Sequence, residues 1–140
     1  MAATEVGMKR FAAIFAGLAL AGMAGAEAVP FEKAGIGRSE VTLYLHGFLT
    51  EEELTTLRLV MTNTEALAIF VPSGKDDGFA ALAVSPDDGL IRDGKPVASA
   101  VALADFDHPD TAETEARKAC DAAKKGSAPC VLVLAVGPKP

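Results

Sequence analysis

The chain has 140 residues, half of them apolar, with 23% charged, two cysteines, no tryptophan and a formal net charge of −6. That composition describes one globular domain and excludes a disordered or multidomain protein. The first 26 residues hold 18 of the 70 apolar ones; the other 114 are ordinary in hydrophobicity and carry 11 basic against 18 acidic residues, a net −7. A surface of that sign is repelled by a phosphate backbone and by an anionic membrane, so nucleic acid is not the expected partner.

Residues 8–28 read MKRFAAIFAGLALAGMAGAEA. Lys9 and Arg10 precede an uncharged stretch from Phe11 to Ala26 that ends in the small-x-small triplet Ala24, Gly25, Ala26, the pattern of a secretory signal peptide. The stretch is shorter than the roughly 20 apolar residues a bilayer span needs, and its Ala and Gly make it weakly hydrophobic. Cleavage is expected after Ala26, with Ala28 as the second choice, and Met8 is the alternative start to Met1. No cysteine follows the apolar stretch, so no lipid anchor is expected. Export places Cys120 and Cys130 in an oxidising compartment, where an even pair is most simply a disulfide. Closing so short a loop contributes roughly 3 kcal/mol. The rival reading is a redox-active pair; catalytic dithiols usually stand as C-x-x-C with a thiolate at a helix N-terminus, whereas Cys120 falls late in a helix, at the negative end of the dipole.

Along the mature chain, residues 27–40 read as an extended lead-in to a single domain over 41–136, with 137–140 as a tail. From Val41 the residues alternate: Val41, Leu43 and Leu45 point one way and Thr42, Tyr44 and His46 the other, as in a half-buried strand. Thr50 and Glu53 form a capping box, and Leu54, Leu57, Val60 and Met61 share one helical face, which predicts a helix from Glu51 to about Asn63. Leu67 to Val71 reads as a short strand, with extension of the helix as the alternative. Phe79 to Val84 and Val97 to Phe106 are two further strands, expected to pair antiparallel, with residues 90–96 as connector. Asp110 and Glu113 repeat the capping-box spacing behind Pro109, and Gly126 marks the stop of a second helix whose inner face is Ala112, Ala116, Ala119, Cys120 and Ala123. Cys130 to Val136 reads as a central strand buried on both faces. The order β-α-β-β-β-α-β predicts an α+β domain with two helices on one face of a mixed sheet. Six aromatics remain after the leader, enough for one core and not for a large aromatic binding face as well.

Few residues carry chemistry. His46 and Gly47 resemble the His-Gly near the oxyanion hole of α/β-hydrolases, but no G-x-S-x-G elbow occurs and His108 is the other histidine, so a triad lacks its nucleophile. Asp105, Asp107, His108 and Asp110 are weak candidates for a divalent cation; acids around a first helical turn also serve the helix itself, and Pro109 and Asp110 break the calcium-loop pattern. The acidic pairs Asp76–Asp77 and Asp87–Asp88 precede glycine and read as turn residues. No cofactor motif is present.

The segments FAALAVSPDDGL and ALADFDHPDTAETEARKACDAAKKGSAPCVLVLAV carry an aromatic-led A-x-A strand, a small-residue helix ending A-C and a second Cys opening a Val-rich strand. In this the chain resembles a group of small secreted alphaproteobacterial proteins of unknown function, and more loosely a wider domain family of unknown function. The resemblance covers residues 79–136, implies a Cys120–Cys130 disulfide and supplies no catalytic residue. Some members of the closer group are labelled 5-aminolevulinate synthase, an activity that needs a large pyridoxal-phosphate fold and a Schiff-base lysine which 114 mature residues cannot build. The expectation is an exported, periplasmic or extracellular, non-enzymatic binding or accessory domain for a protein or cell-envelope ligand. The alternatives are a small envelope hydrolase or metal-dependent enzyme using His46 or His108 with the acids at 105–110, and a thiol-redox protein.

Overall fold

In the computed structural model, which describes residues 29–71 and 78–140, the chain is an α+β fold. Strands β1 (Phe31–Ile36) and β2 (Ser39–Tyr44) lead into helices α1 (Glu51–Thr62) and α2 (Thr64–Phe70). Strand β3 (Phe79–Val84), the two-residue strands β4 (Ile91–Arg92) and β5 (Lys95–Pro96), β6 (Val101–Phe106), helix α3 (Pro109–Ala123) and β7 (Val131–Pro138) follow. Five strands form one sheet in the order β1-β2-β7-β3-β6, and β4 pairs with β5 in a separate small ribbon. The expected leader, with its cleavage site, lies outside the described residues, as do Asp76 and Asp77.

Local chemistry accounts for most of these elements. The lead-in is itself a strand: β1 folds back on β2 through Gly37 and Arg38, and Gly37 takes the positive φ of +58° that a two-residue hairpin turn requires. The β4–β5 ribbon turns on Asp93 and Gly94, here both at positive φ. Asp-Gly is a hairpin dipeptide, so the expected connector contains a turn its sequence already encodes. Leu67 to Val71, expected as a strand, belongs to α2 except for its last residue. Asn63 leaves helical geometry for one residue, ends α1, and accepts the Ala66 N–H on its Oδ1 at 2.9 Å to start α2. A five-residue apolar run does not discriminate helix from strand by period, and the cap decides it.

Two expectations about the sheet are corrected. Every pairing in it is antiparallel, so the sheet is not mixed. The helices lie on opposite faces, not on one. Along β3, Leu82 and Val84 join Val41, Leu43 and Leu134 in a core beneath Leu57 and Met61 of α1, while Ala81 and Ala83 face Ala112, Ala116 and Cys120 of α3. Alternation sends successive β3 side chains to opposite faces, and alanines on both partners let α3 approach closely. The antiparallel β3–β6 pairing and the central place of β7 are as expected. At the edge, β6 carries one extra residue opposite β3, with Asp105 near it at φ +74°.

Four carboxylates fasten the elements. Glu53 is fully buried. Its Oε1 accepts the Thr50 N–H at 2.9 Å, completing the expected capping box, and its Oε2 accepts from Leu90 N, Ile91 N and Arg92 Nη1 at 2.9, 2.8 and 3.1 Å. Burial pushes its pKa up, but the N–H donors of Ile91, Thr50 and Leu90 and the Arg92 charge outweigh it and hold the carboxyl below its ordinary value. The turn after β3 does more than reverse the chain. Asp88 accepts from Ser99 Oγ and the Lys125 and Gly126 N–H groups, and Asp87 from those of Ser127 and Ala128, so the pair holds the loop that follows α3. Asp121 accepts the Cys130 N–H at 2.9 Å beside the Cys120–Cys130 disulfide, whose sulfurs sit in the α3 core.

The ends of α3 differ from the expected signals. Its N-cap is His108, whose side chain makes no cap hydrogen bond, and Asp110 lies inside the first turn, so Asp110 and Glu113 form no capping box. The helix stops at Ala123 with Lys124 in extended geometry. Gly126 serves a close approach instead: a Cβ there would lie 2.3 Å from Asp87 Cβ.

Candidate functional site

Helix α3 packs on β3, β6 and the adjoining part of β7. The β1–β2 half of that face stays open, and Phe31 on it is 56% exposed. The strand register explains what the open half presents. With Val41 and Leu43 in the α1 core, β2 turns Glu40, Thr42 and Tyr44 to the other side. Cross-strand pairing sets Phe31 opposite Tyr44 and Lys33 opposite Thr42 on β1, and Ala135 opposite Thr42 and Gly137 opposite Glu40 on β7. Small residues on the central strand keep the floor low. Phe79 lies directly over Gly137, where a Cβ would meet its ring at 2.7 Å.

The floor and the flank of α3 enclose a groove of two adjoining cavities. One, of about 300 Å³, is lined by Glu40, Thr42, Tyr44 and Phe79 together with Asp110 and Glu113 of α3. The other, of about 570 Å³, reaches from Val29 and His46 to Arg117. Tyr44, Glu113 and Leu132 line both. Carboxylates outnumber cations here: Glu40, Asp110 and Glu113 stand against the Arg117 guanidinium among the described lining residues. Glu113 pairs with Arg117 at 2.9 Å and Glu40 with Lys33 at 3.8 Å, both with partly exposed side chains. The Lys33 ammonium also stands 5.7 Å from the Phe31 ring centre, and that ring lies 6.2 Å from Tyr44.

The sequence candidates separate. His46 closes one end of the groove, stacked on Phe48 with its Nε2 2.8 Å from the Leu132 carbonyl oxygen. A carbonyl only accepts, so Nε2 carries a proton and donates, which leaves Nδ1 as the acceptor of the neutral ring. Asp110 lines the far cavity, so the groove joins His46 to the acidic start of α3. Asp105 sits at the β6 irregularity, Asp107 is exposed before α3, and His108 caps its start; none of the three lines the groove. Among the described residues no group of three or more His, Cys, Asp or Glu side chains is placed to hold a metal ion. Cys120 and Cys130 are paired and buried. Thr42, Tyr44, Glu113 and Arg117 were not among the sequence candidates, although the alternation from Val41 already placed Thr42, Tyr44 and His46 on one side of β2.

Compared with protein-family models, with curated proteins and with solved structures, the chain matches none. A disulfide is the bond of an oxidising compartment, and no described helix is long and apolar enough to cross a membrane. The groove is accordingly read from its own chemistry.

Proposed function

We propose that the chain is an exported, disulfide-held binding domain, periplasmic or extracellular, that takes a protein or cell-envelope ligand in the groove between α3 and β2. The observation that supports this reading is the half-open sheet face. A five-stranded sheet carries one helix on its α3 side, and the uncovered half presents Tyr44, Thr42 and Phe31 in place of an apolar surface needing cover. Concave surfaces with an aromatic floor and a few polar groups are where ligands bind. The test is NMR shift mapping of the labelled protein, titrated with random peptide pools and with soluble envelope glycan fragments. Shifts clustered at Thr42, Tyr44, Glu113 and Leu132, and lost in Thr42→Trp, support the reading. Shifts elsewhere, or none with either pool, overturn it.

The second reading, hydrolysis assisted by His46, rests on one observation: His46 and the acids of α3 line a single groove. It requires ester or amide turnover that His46→Ala abolishes and His108→Ala leaves intact; equal rates in the two variants sink it.

A further inference from the structure

The opposite face of the sheet carries a separate cavity, of about 280 Å³, between the sheet and the two short helices. Leu134, Leu82 and Ala102 are successive cross-strand partners on β7, β3 and β6, a row about 10 Å long that forms its floor. Leu57 and Val60 of α1 and Ala66 and Ile69 of α2 line it from the helices, and Leu90, Ile91 and Pro96 line it from the β4–β5 side. The room comes from small side chains: α2 reaches the edge strand β6, and alanine stands on each, at 66 and at 102. Ile69 is 83% exposed, and Pro96 and Ala102 are exposed, so the cavity opens to solvent between α2, β5 and β6.

The lining selects hydrocarbon. Among the described residues no charged side chain lines this cavity. Its one side-chain hydroxyl, on Thr56, donates to the Glu52 carbonyl at 3.0 Å. The Leu90 and Ile91 N–H groups donate to Glu53 Oε2, which fixes that side of the cavity in place. A polar group placed inside would lose its water and gain no partner, a cost that an alkyl chain does not meet. Size narrows the class further. The cavity is nearly twice the roughly 150 Å³ apolar cavity that accepts a benzene ring, and at roughly 30 Å³ per water-sized group it holds about nine methylenes. A stable dimer buries on the order of 1,200 Å²; Ile69 is the one large, mostly exposed apolar side chain in the described lining, too little to anchor such an interface.

We propose that this cavity is a second binding site, independent of the groove, which takes the alkyl chain of a single-chain amphiphile and leaves its headgroup in solvent. The probes are straight-chain carboxylates from hexanoate to dodecanoate, below their micelle concentrations, titrated into methyl-labelled protein. The expected result is saturable shifts of the Leu82, Leu134 and Ile69 methyls. Affinity rises roughly fourfold per added methylene as far as decanoate and levels at dodecanoate, when the cavity is full. Nonanoate and octyl glucoside, which offer the same eight carbons, bind alike because the headgroup meets no lining charge. Ala102→Phe fills the mouth and lowers decanoate affinity about tenfold, the worth of some two displaced methylenes. Ala66→Phe does the same from α2, whereas Lys118→Phe, at an exposed position on α3, leaves binding unchanged. Absence of shifts with every chain, shifts scattered over the surface, or affinity indifferent to chain length overturns the proposal, and these readouts on the native protein decide it even if both filled variants fail to fold. Undiminished binding in the folded variants overturns it as well. So does binding of the carboxylates alone, which would mean that the head is recognised. Dimerisation of the unliganded protein that Ile69→Lys abolishes would make a second copy the occupant and overturn it too.

Discussion

Glu53 shows how much one residue can be asked to do. Its side chain is a capping residue by sequence, yet in the fold it also satisfies two backbone N–H groups and a guanidinium more than thirty residues away. Removing a buried, fully partnered carboxylate orphans every donor at once. Glu53→Ala is expected to cost about 3–5 kcal/mol in urea denaturation, whereas the exposed Glu52→Ala stays within about 0.5 kcal/mol. The pH dependence follows from the direction of the shift. Glu53 is held below its ordinary value of 4.5 in the fold, so its contribution is present above the unfolded pKa and is lost as pH falls through the folded one. Asp88, lowered by the Lys125 N–H and Ser99 hydroxyl, and Asp121, lowered by the Cys130 N–H and Lys124, act with the same sign. Stability is therefore expected to fall on acidification through the carboxylate range, with a shallower fall in Glu53→Gln. A flat profile from pH 7 to pH 3 would contradict the assignment.

At the scale of elements, α3 and its disulfide behave as a unit. Ala112, Ala116 and Cys120 form a stripe with almost no side-chain bulk, and Ala116 is completely buried against the sheet. Ala116→Leu adds volume where the helix has none to give and is expected to cost about 1–3 kcal/mol. The disulfide joins the end of α3 to the start of β7 across ten residues. Its reduction is expected to lower stability by about 3 kcal/mol, read as a fall in melting temperature of roughly 10 °C or more on adding a reductant. An unchanged melting temperature in the verified reduced form would remove the structural role of the bond. The carboxylates of Asp87 and Asp88 hold the intervening loop from the other side. The bland turn reading of that pair from sequence was right about local conformation and silent about the five hydrogen bonds it accepts from side chain and loop backbone.

At the scale of the whole molecule, the aliphatic residues and the aromatics divide the work. Valine, leucine and alanine fill the core on both faces of the sheet, while none of the six described aromatics is fully buried. The sequence expectation had spent all of them on the core; Phe48, Phe70, Phe79 and Phe106 do pack against it, part-buried, while Phe31 and Tyr44 lie on the open sheet face and supply its aromatic floor. Leu134→Ala, at a fully buried position of the central strand, is expected to cost about 2–5 kcal/mol. Phe31→Ala, at an edge strand and more than half exposed, is expected to cost less than about 1 kcal/mol, the worth of a cross-strand pair. Chemical denaturation of the two variants separates core from floor; equal losses would place Phe31 in the core.

The sequence by itself determined the features whose cause lies within a few residues: the Thr50–Glu53 cap, the helical face of α1, the alternation of β2, the small-residue stripe of α3 and an even cysteine pair. The tertiary structure alone decided which face each helix takes, because α1 and α3 carry apolar stripes that either side of a sheet would satisfy. It also decided the fate of Leu67 to Val71, where one capping bond from Asn63 outweighed a run without period. The groove belongs to the same class. His46 meets Leu132 across 86 residues of sequence, and Tyr44 and Glu113 line one groove because β7 enters the sheet between β2 and β3. No local signal encodes that strand order, since it is chosen by burying the faces of all five strands at once.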